Sequence, residues 1–483
     1  MGVLSDLEPN NVFRFFEEIC QIPHGSGNVE GISDYLVSFA KERGLRYIQD
    51  EVKNVILFKE ASAGYEQEPT VILQGHMDMV AVHKPDYNVD MATEPLRLKT
   101  DGDNVYAEGT SLGGDDGIAV AYALAILDDD SIEHPALEII ITVDEEVGMD
   151  GARAIDLSEL KGHRLLNLDS EEEGIFLTSC AGGARVSCEL SVKSSKISGT
   201  EYEIILGGLQ GGHSGVEIIK ERGNSNVLLG RLLWKLASTC DIGLLSACGG
   251  VADNAITSET KVNLLASSDR KDFLGLLREF DQQVQAELAS KDPGFALQVI
   301  EKEYVEMEAL AGEELKRAAA YLNSLPNGVQ AMSADIAGLV ETSLNQGILR
   351  ITPSRVYVEY SVRSSLESSK HALLEKLSSV TVLAGGTTHV TGNYPGWAYR
   401  VDSPLRDKMV RLYEDMYGEK PKVEAVHAGL ECGLLAGKIA DLDCVSFGPN
   451  MNNIHTAEES LSISSTARVW EYLIRLLATK DGD

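Results

Sequence analysis

The order of apolar and polar positions divides the chain into three textures. In the first, residues 11–22 carry Val12, Phe15, Phe16 and Ile19 at helical spacing, and Pro23 stops the run. A second helix is predicted over 28–43, with Ile32, Leu36 and Phe39 on one face and Gly44 at its end. Short strands are predicted at 46–49 and 54–58, with a loop at 64–69. Continuous apolar runs then read as buried strands at 70–80, 137–143 and 164–168, and an Ala-rich helix at 118–127 lies between the first two. From about Val186 the pattern alternates. Strands are predicted at 186–192, 202–206, 261–265, 298–300 and 355–361, and helices at 226–236, 270–289, 313–322 and 370–377. Near Tyr394 the first texture returns, with helices at 404–417 and 465–478 and strands at 422–425 and 442–447. The fold class this predicts is α/β. A discontinuous domain, 1–185 and 393–483, holds a central, mostly parallel sheet between helices. Residues 186–392 form an inserted α+β domain of antiparallel sheets with helices on one face. A chain of 483 residues is too long for a single core, which agrees with two domains.

The buried strands of the first domain end in ligand-type residues. His76 and Asp78 close the run TVILQGHMDMV, and their alternation places both on one side of an extended backbone. Asp115 and Asp116 precede the Ala-rich helix in a glycine-rich turn. Asp144, Glu145 and Glu146 follow LEIIITV, and Asp169 follows the strand at 164–168. Each feature alone has an ordinary reading: a core histidine, a helix N-cap, a solvated turn. Acids at the end of a buried strand repel one another, yet that edge of an open α/β sheet is where ligands bind. Four such endings between residues 76 and 169 point to a metal. In the alternating block, His213 sits between glycines and beside Ser214, and near the C-terminus a loop at 448–459 holds His455. Imidazoles with carboxylates and no cysteine suit Zn²⁺, Mn²⁺ or Co²⁺.

Composition narrows the partners. The chain is 43% apolar and 24% charged, as expected for a globular protein, with a net charge of −33. That charge argues against nucleic acid and anionic membranes as partners. No apolar run approaches the roughly 20 residues of a membrane span. The first residues show no secretory signal, and Asp6 occupies the place where a myristoylation signal has Ser or Thr. The seven cysteines are scattered without a C-x-x-C, as expected of reduced thiols in a cytoplasmic protein.

Several motifs together resemble one family. GHMDMV at 75–80, GGDDGI at 113–118, TVDEEVG at 142–148, LNLDSEEEG at 166–174, GGHSGVEI at 211–218, RGNSN at 222–226, SVRSS at 361–365, HAGLECG at 427–433 and GP…IH at 448–455 are similar to the bacterial aminoacyl-histidine (Xaa-His) dipeptidases. These belong to the co-catalytic di-zinc exopeptidases. The resemblance runs from the first helix to the last. It implies a metallo-exopeptidase with two divalent metals, zinc or else manganese or cobalt. His76 and Asp169 would hold one metal, Glu146 and His455 the other, and Asp115 would bridge them. Asp78 would orient His76, and Glu145 would be the general base. The inserted domain would be a lid, with His213 stabilising the oxyanion and Arg363 and Asn254 contacting the substrate carboxylate. Asp116 and Ser225 depart from the usual Asn and Ala, and neither is an implied ligand. Small peptides are the expected substrates. A broader di- or tripeptidase, an N-acyl amino-acid amidohydrolase and a non-catalytic metal scaffold are the alternatives. Whether the chain forms a homodimer through the lid stays open.

Overall fold

Four apolar strands run parallel at the centre of one eight-stranded sheet: Leu137–Thr142, Val71–His76, Arg164–Asn167 and Asp443–Ser446, in that spatial order. The computed structural model describes residues 2–482. Parallel strands are covered on both faces, which explains the absence of alternation in their sequences. Every side chain of Val71–His76 and Leu137–Thr142 is buried. Antiparallel pairing adds Arg46–Gln49 and Val55–Lys59 on one side and Ile175–Cys180 on the other, and Lys422–Val426 forms the edge beyond Ile175–Cys180. The expected α/β architecture is present, with four parallel strands at its centre.

The chain divides into two compact units. The first comprises residues 1–179, 399–425 and 430–483 and contains this sheet. Its core includes the helix Gly114–Asp128, whose residues 114–127 are all buried. A helix apolar all round belongs inside a protein. The helices Asn10–Cys20 and Ile463–Ala478 contribute Phe13, Phe16, Val469 and Leu473 to the same core. The sheet topology places His76, Thr142 and Asn167 at adjacent C-terminal strand ends.

The second unit comprises residues 180–398 and 426–429. It holds a nine-stranded antiparallel sheet and the helices Ser225–Thr239, Arg270–Leu288, Gly312–Ser324 and Glu367–Leu383. These ranges differ from the expected 186–392 by a few residues at each end, because the strand Gly182–Ser191 starts early and Thr387–Tyr394 pairs with it. Two of its strands, Ile242–Gly249 and Val340–Thr352, had no strand pattern. The buried positions of Val340–Thr352 include Ser343 and Asn345, whose polar groups find partners that periodicity cannot reveal. The strand Ala296–Ala311 is far longer than the expected 298–300, because its segment 301–308 is mostly exposed and charge-rich and shows no apolar face.

Candidate metal centre

Asp115 faces two imidazoles at once. Its Oδ1 lies 3.1 Å from His76 Nε2 and its Oδ2 lies 3.1 Å from His455 Nε2. Asp169 Oδ1 lies 3.6 Å from His76 Nε2, and Glu146 Oε1 lies 3.0 Å from His455 Nε2. Ligand atoms on one tetrahedral zinc, at about 2.0–2.2 Å from the ion, sit roughly 3.3–3.6 Å apart. The observed separations are close to those edges. Glu146 Oε1 is buried and makes no hydrogen bond of acceptable geometry, even with the nearby imidazole. Ligand-type atoms of His76, Asp116 and Asp169, of His76, Glu145 and Glu146, and of Asp115, Glu146 and His455 lie within 4.8 Å of one another. The donor set of imidazole nitrogens and carboxylates fits one or two divalent cations.

Turns deliver these side chains. Asp144 and His455 both adopt left-handed backbone, with φ of 54° and 62°. Such conformations persist where surrounding contacts over-determine them. Asp144 is held by the Gly27 N–H, which donates to its Oδ1 at 2.7 Å. The Asp78 carboxylate accepts from the Glu145 N–H at 3.1 Å and from Ser26 Oγ at 2.8 Å, so it pins the acidic turn to the strand end. His76 Nδ1 makes its hydrogen bond to the Asp78 carbonyl oxygen at 2.9 Å, while the Asp78 carboxylate stands 3.6 Å away. The partner that fixes the His76 ring is thus the backbone of Asp78.

Sequence reasoning did not single out Glu459. Its carboxylate is buried and accepts from four consecutive backbone N–H groups, Leu112 at 2.7 Å, Gly113 at 3.1 Å, Gly114 at 2.8 Å and Asp115 at 3.3 Å. These are the orphan donors at the start of the 114–128 helix. Neither Asp115 nor Asp116 caps that helix, and both have non-helical backbone angles. Glu459 caps it from four residues beyond His455, and so ties the turn of Asp115 to the loop of His455. Gly113 is required there: its φ is 69°, and a Cβ would come within 2.8 Å of Met79 Sδ.

The electrostatics reflect crowded acids. Burial pulls His76 down, but the Asp169 charge and hydrogen bonds to Asp115, Asp169 and Asp78 outweigh it and hold the imidazole well above its usual range. His455 is pushed up to about 10 by its hydrogen bond to Asp115 and by the adjacent Glu146 carboxylate. Burial works against the Asp115 carboxylate, yet hydrogen bonds from both imidazoles keep it low. Burial raises Asp169 to about 6. Glu145 is raised well above the carboxylate range, chiefly by burial, with Asp169, Glu431 and Glu146 adding to the shift and His76 opposing it. A half-buried acid in that state is suited to proton transfer near neutral pH.

His213, Asn254 and Arg363 lie in the second unit. His213 pairs with Ala255 in a two-stranded ribbon, and the Ser214 N–H donates to the Asn254 carbonyl at 2.8 Å. His213 Nδ1 accepts from the N–H groups of Gly215 and Val216 at 3.2 and 3.3 Å. That assigns the proton to Nε2 and leaves the ring with a free donor. Burial and the Arg363 charge lower its pKa, which keeps it neutral. Arg363 is buried, its Nε has no hydrogen-bond partner, and among the described residues it forms no ion pair. A buried guanidinium without a carboxylate is a natural receptor for one. The Asn254 residue is exposed.

Residues 72–479 match the family described as Peptidase family M20/M25/M40. The chain is 37% identical over 480 residues to the cytosol non-specific dipeptidase of Escherichia coli K12, covering 99% of each chain. It superposes on the aminoacylhistidine dipeptidase from Vibrio alginolyticus with a TM-score of 0.93 and 36% identity, covering 99% of this chain and 98% of the other. The aminopeptidase PepT from Bacillus cereus shares the fold at a TM-score of 0.57 and 15% identity, covering 98% of each chain.

Glu459→Gln replaces one acceptor oxygen with an amino group that faces N–H donors. The expected loss of unfolding free energy is about 1–3 kcal/mol. Denaturant unfolding of the variant checks this, and an unchanged midpoint would remove Glu459 from the support of the Asp115 turn.

Proposed function

The chain belongs to peptidase family M20/M25/M40, and from that premise we propose that it is a metal-dependent dipeptidase acting on Xaa-His and related dipeptides. The observation that carries this reading is Asp115, with one carboxylate oxygen toward each of two imidazoles. In the proposal His76 and Asp169 would hold one metal, Glu146 and His455 would hold the other, and Asp115 would be shared between them. Zinc suits the nitrogen and carboxylate donors, and manganese or cobalt would also be accepted. When bound, the metal pair supplies Lewis acidity to the scissile carbonyl and brings the pKa of water near neutrality.

The remaining steps belong to side chains. Glu145 takes a proton from the attacking water and returns it to the leaving amine. Asp78 holds the turn that carries Glu145 and the ring of His76. His213 donates from Nε2 to the oxyanion, and Arg363 and Asn254 bind the substrate's terminal carboxylate. The second unit acts as the lid that supplies these three groups. A homodimer through that unit would let a second copy contribute them. The E. coli relative is named a non-specific cytosol enzyme, which supports a wide choice of N-terminal residue and a cytosolic location. The seven free cysteines agree with that location.

A panel of carnosine, other Xaa-His dipeptides, Gly-Leu, a tripeptide and an N-acetyl amino acid tests the substrate class. Hydrolysis of dipeptides well ahead of the tripeptide and the acylated amino acid is expected. Preference for the acylated compound would overturn the assignment. On the best dipeptide, Glu145→Gln should retain metal and lose turnover by several orders of magnitude, because an amide cannot accept the proton. A rate near wild type would exclude Glu145 as the base.

Arg363→Ala should mainly raise KM for carnosine and have little effect on carnosine amide, which lacks the carboxylate. Equal impairment of both would contradict the carboxylate role.

Carboxylate partners hold both imidazoles above their usual pKa, which favours their protonated forms. Metal takes neutral imidazole, so binding must release protons. Calorimetry in buffers of different ionisation enthalpy should show net proton release at pH 7. Apparent affinity should fall as pH is lowered. Binding without proton release would remove His76 and His455 from the ligand set.

A further inference from the structure

A buried polar layer lies one pleat beneath the candidate metal ligands, and its end point is Glu431. Gln74 and Asn167 are paired in register on adjacent parallel strands, each two residues before a ligand, His76 and Asp169. The period of the strand places Gln74 on the same face as His76, and Asp169 follows Asn167 just past the end of its strand. Asn167 Nδ2 donates to Gln74 Oε1 at 2.5 Å, and Gln74 Nε2 donates to Glu431 Oε2 at 2.5 Å. Thr142, in register with His76, donates from Oγ1 to the same Glu431 oxygen at 2.6 Å. All four side chains are buried. Glu431 opens the helix Glu431–Lys438 and forms no ion pair among the described residues. Its second oxygen, Oε1, is buried without a hydrogen-bond partner. The proposed chemistry above gives this carboxylate no task.

The chain of donors runs one way, from Asn167 through Gln74 to the carboxylate. An amide held at only one end can turn over, whereas an amide held at both ends is fixed, and so is the spacing of the strands that carry it. Glu146 and His455 come from turns with other supports, Asp78 for the acidic turn and Glu459 for the loop. We propose that Glu431 is a positioning residue that, through Gln74, Asn167 and Thr142, sets the affinity of the metal held by His76 and Asp169 and leaves the one held by Glu146 and His455 nearly untouched. This rests on the two-metal reading of the site.

The experiment measures stepwise zinc affinities of the purified protein by competition with a chromophoric chelator. Wild type should show two constants; fewer than two would defeat the two-metal reading itself, independently of Glu431. With two in hand, Glu431→Ala should weaken one site by about ten- to hundredfold and the other by less than about threefold. Glu431→Gln should stay within about threefold of wild type at both. Its amide oxygen keeps the two donors, and its amino group falls where Oε1 has no partner. In an Asp169→Asn background, which lacks the affected site, Glu431→Ala should change nothing further. Should Glu431→Ala fail to fold, Thr142→Val decides, with an expected loss of about fivefold at the same site. Two unchanged constants, an equal fall at both sites, or a glutamine variant as weak as alanine would each overturn the proposal.

Discussion

The central constraint is the repulsion among buried acids that have no lysine or arginine beside them. Asp78, Asp115, Asp116, Glu145, Glu146 and Asp169 gather at one end of a sheet, and among the described residues their only ion-pair partners are His76 and His455. Two unit charges about 5 Å apart repel by about 3 kcal/mol at the effective dielectric of a protein. Such a cluster costs stability unless it protonates or binds cations. The raised pKa values of Asp116, Glu145 and Asp169 show the first response. The gathering of imidazole nitrogens and carboxylate oxygens within 4.8 Å of one another provides for the second.

The fold then spends backbone groups to hold the acids in place. The Gly27, Glu145 and His76 N–H groups each donate to a carboxylate of the cluster or its margin. Glu459 reverses the arrangement, with one carboxylate collecting four N–H groups so that the Asp115 turn keeps its shape. Gly75 makes room for this density, since a Cβ there would lie 2.5 Å from Asp116 Oδ2. The strands contribute rigidity and the turns contribute the candidate ligands, a division that would let each proposed subsite be tuned by different neighbours.

Much of this was legible in the sequence. The uninterrupted apolar strands are visible because both faces are covered, and the acids that close them stand out against that background. Hence the strand endings at His76/Asp78, Asp115/Asp116, Glu145/Glu146 and Asp169 stood out by position, while the choice among the paired acids and the part of His455, on a loop without periodicity, came only from the family resemblance. The supports were not legible. Glu459 looks like one more acid in TAEE, and Glu431 lies in a motif whose spacing says nothing of Gln74, 357 residues away. Ser26 and Gly27 belong to a loop whose only local signal is glycine. In the second unit, Val340–Thr352 escaped because buried polar residues interrupt its apolar pattern, with Ser343 and Asn345 bonded to distant partners, and the tautomer of His213 follows from two backbone donors that no pattern specifies.

The most direct test is anomalous diffraction at the zinc edge from crystals of the zinc-loaded protein. The account predicts two peaks about 3.5–4 Å apart, one against His76 and Asp169 and the other against Glu146 and His455, with Asp115 reaching both. A single peak, or a pair that leaves Asp115 uncoordinated, would contradict it.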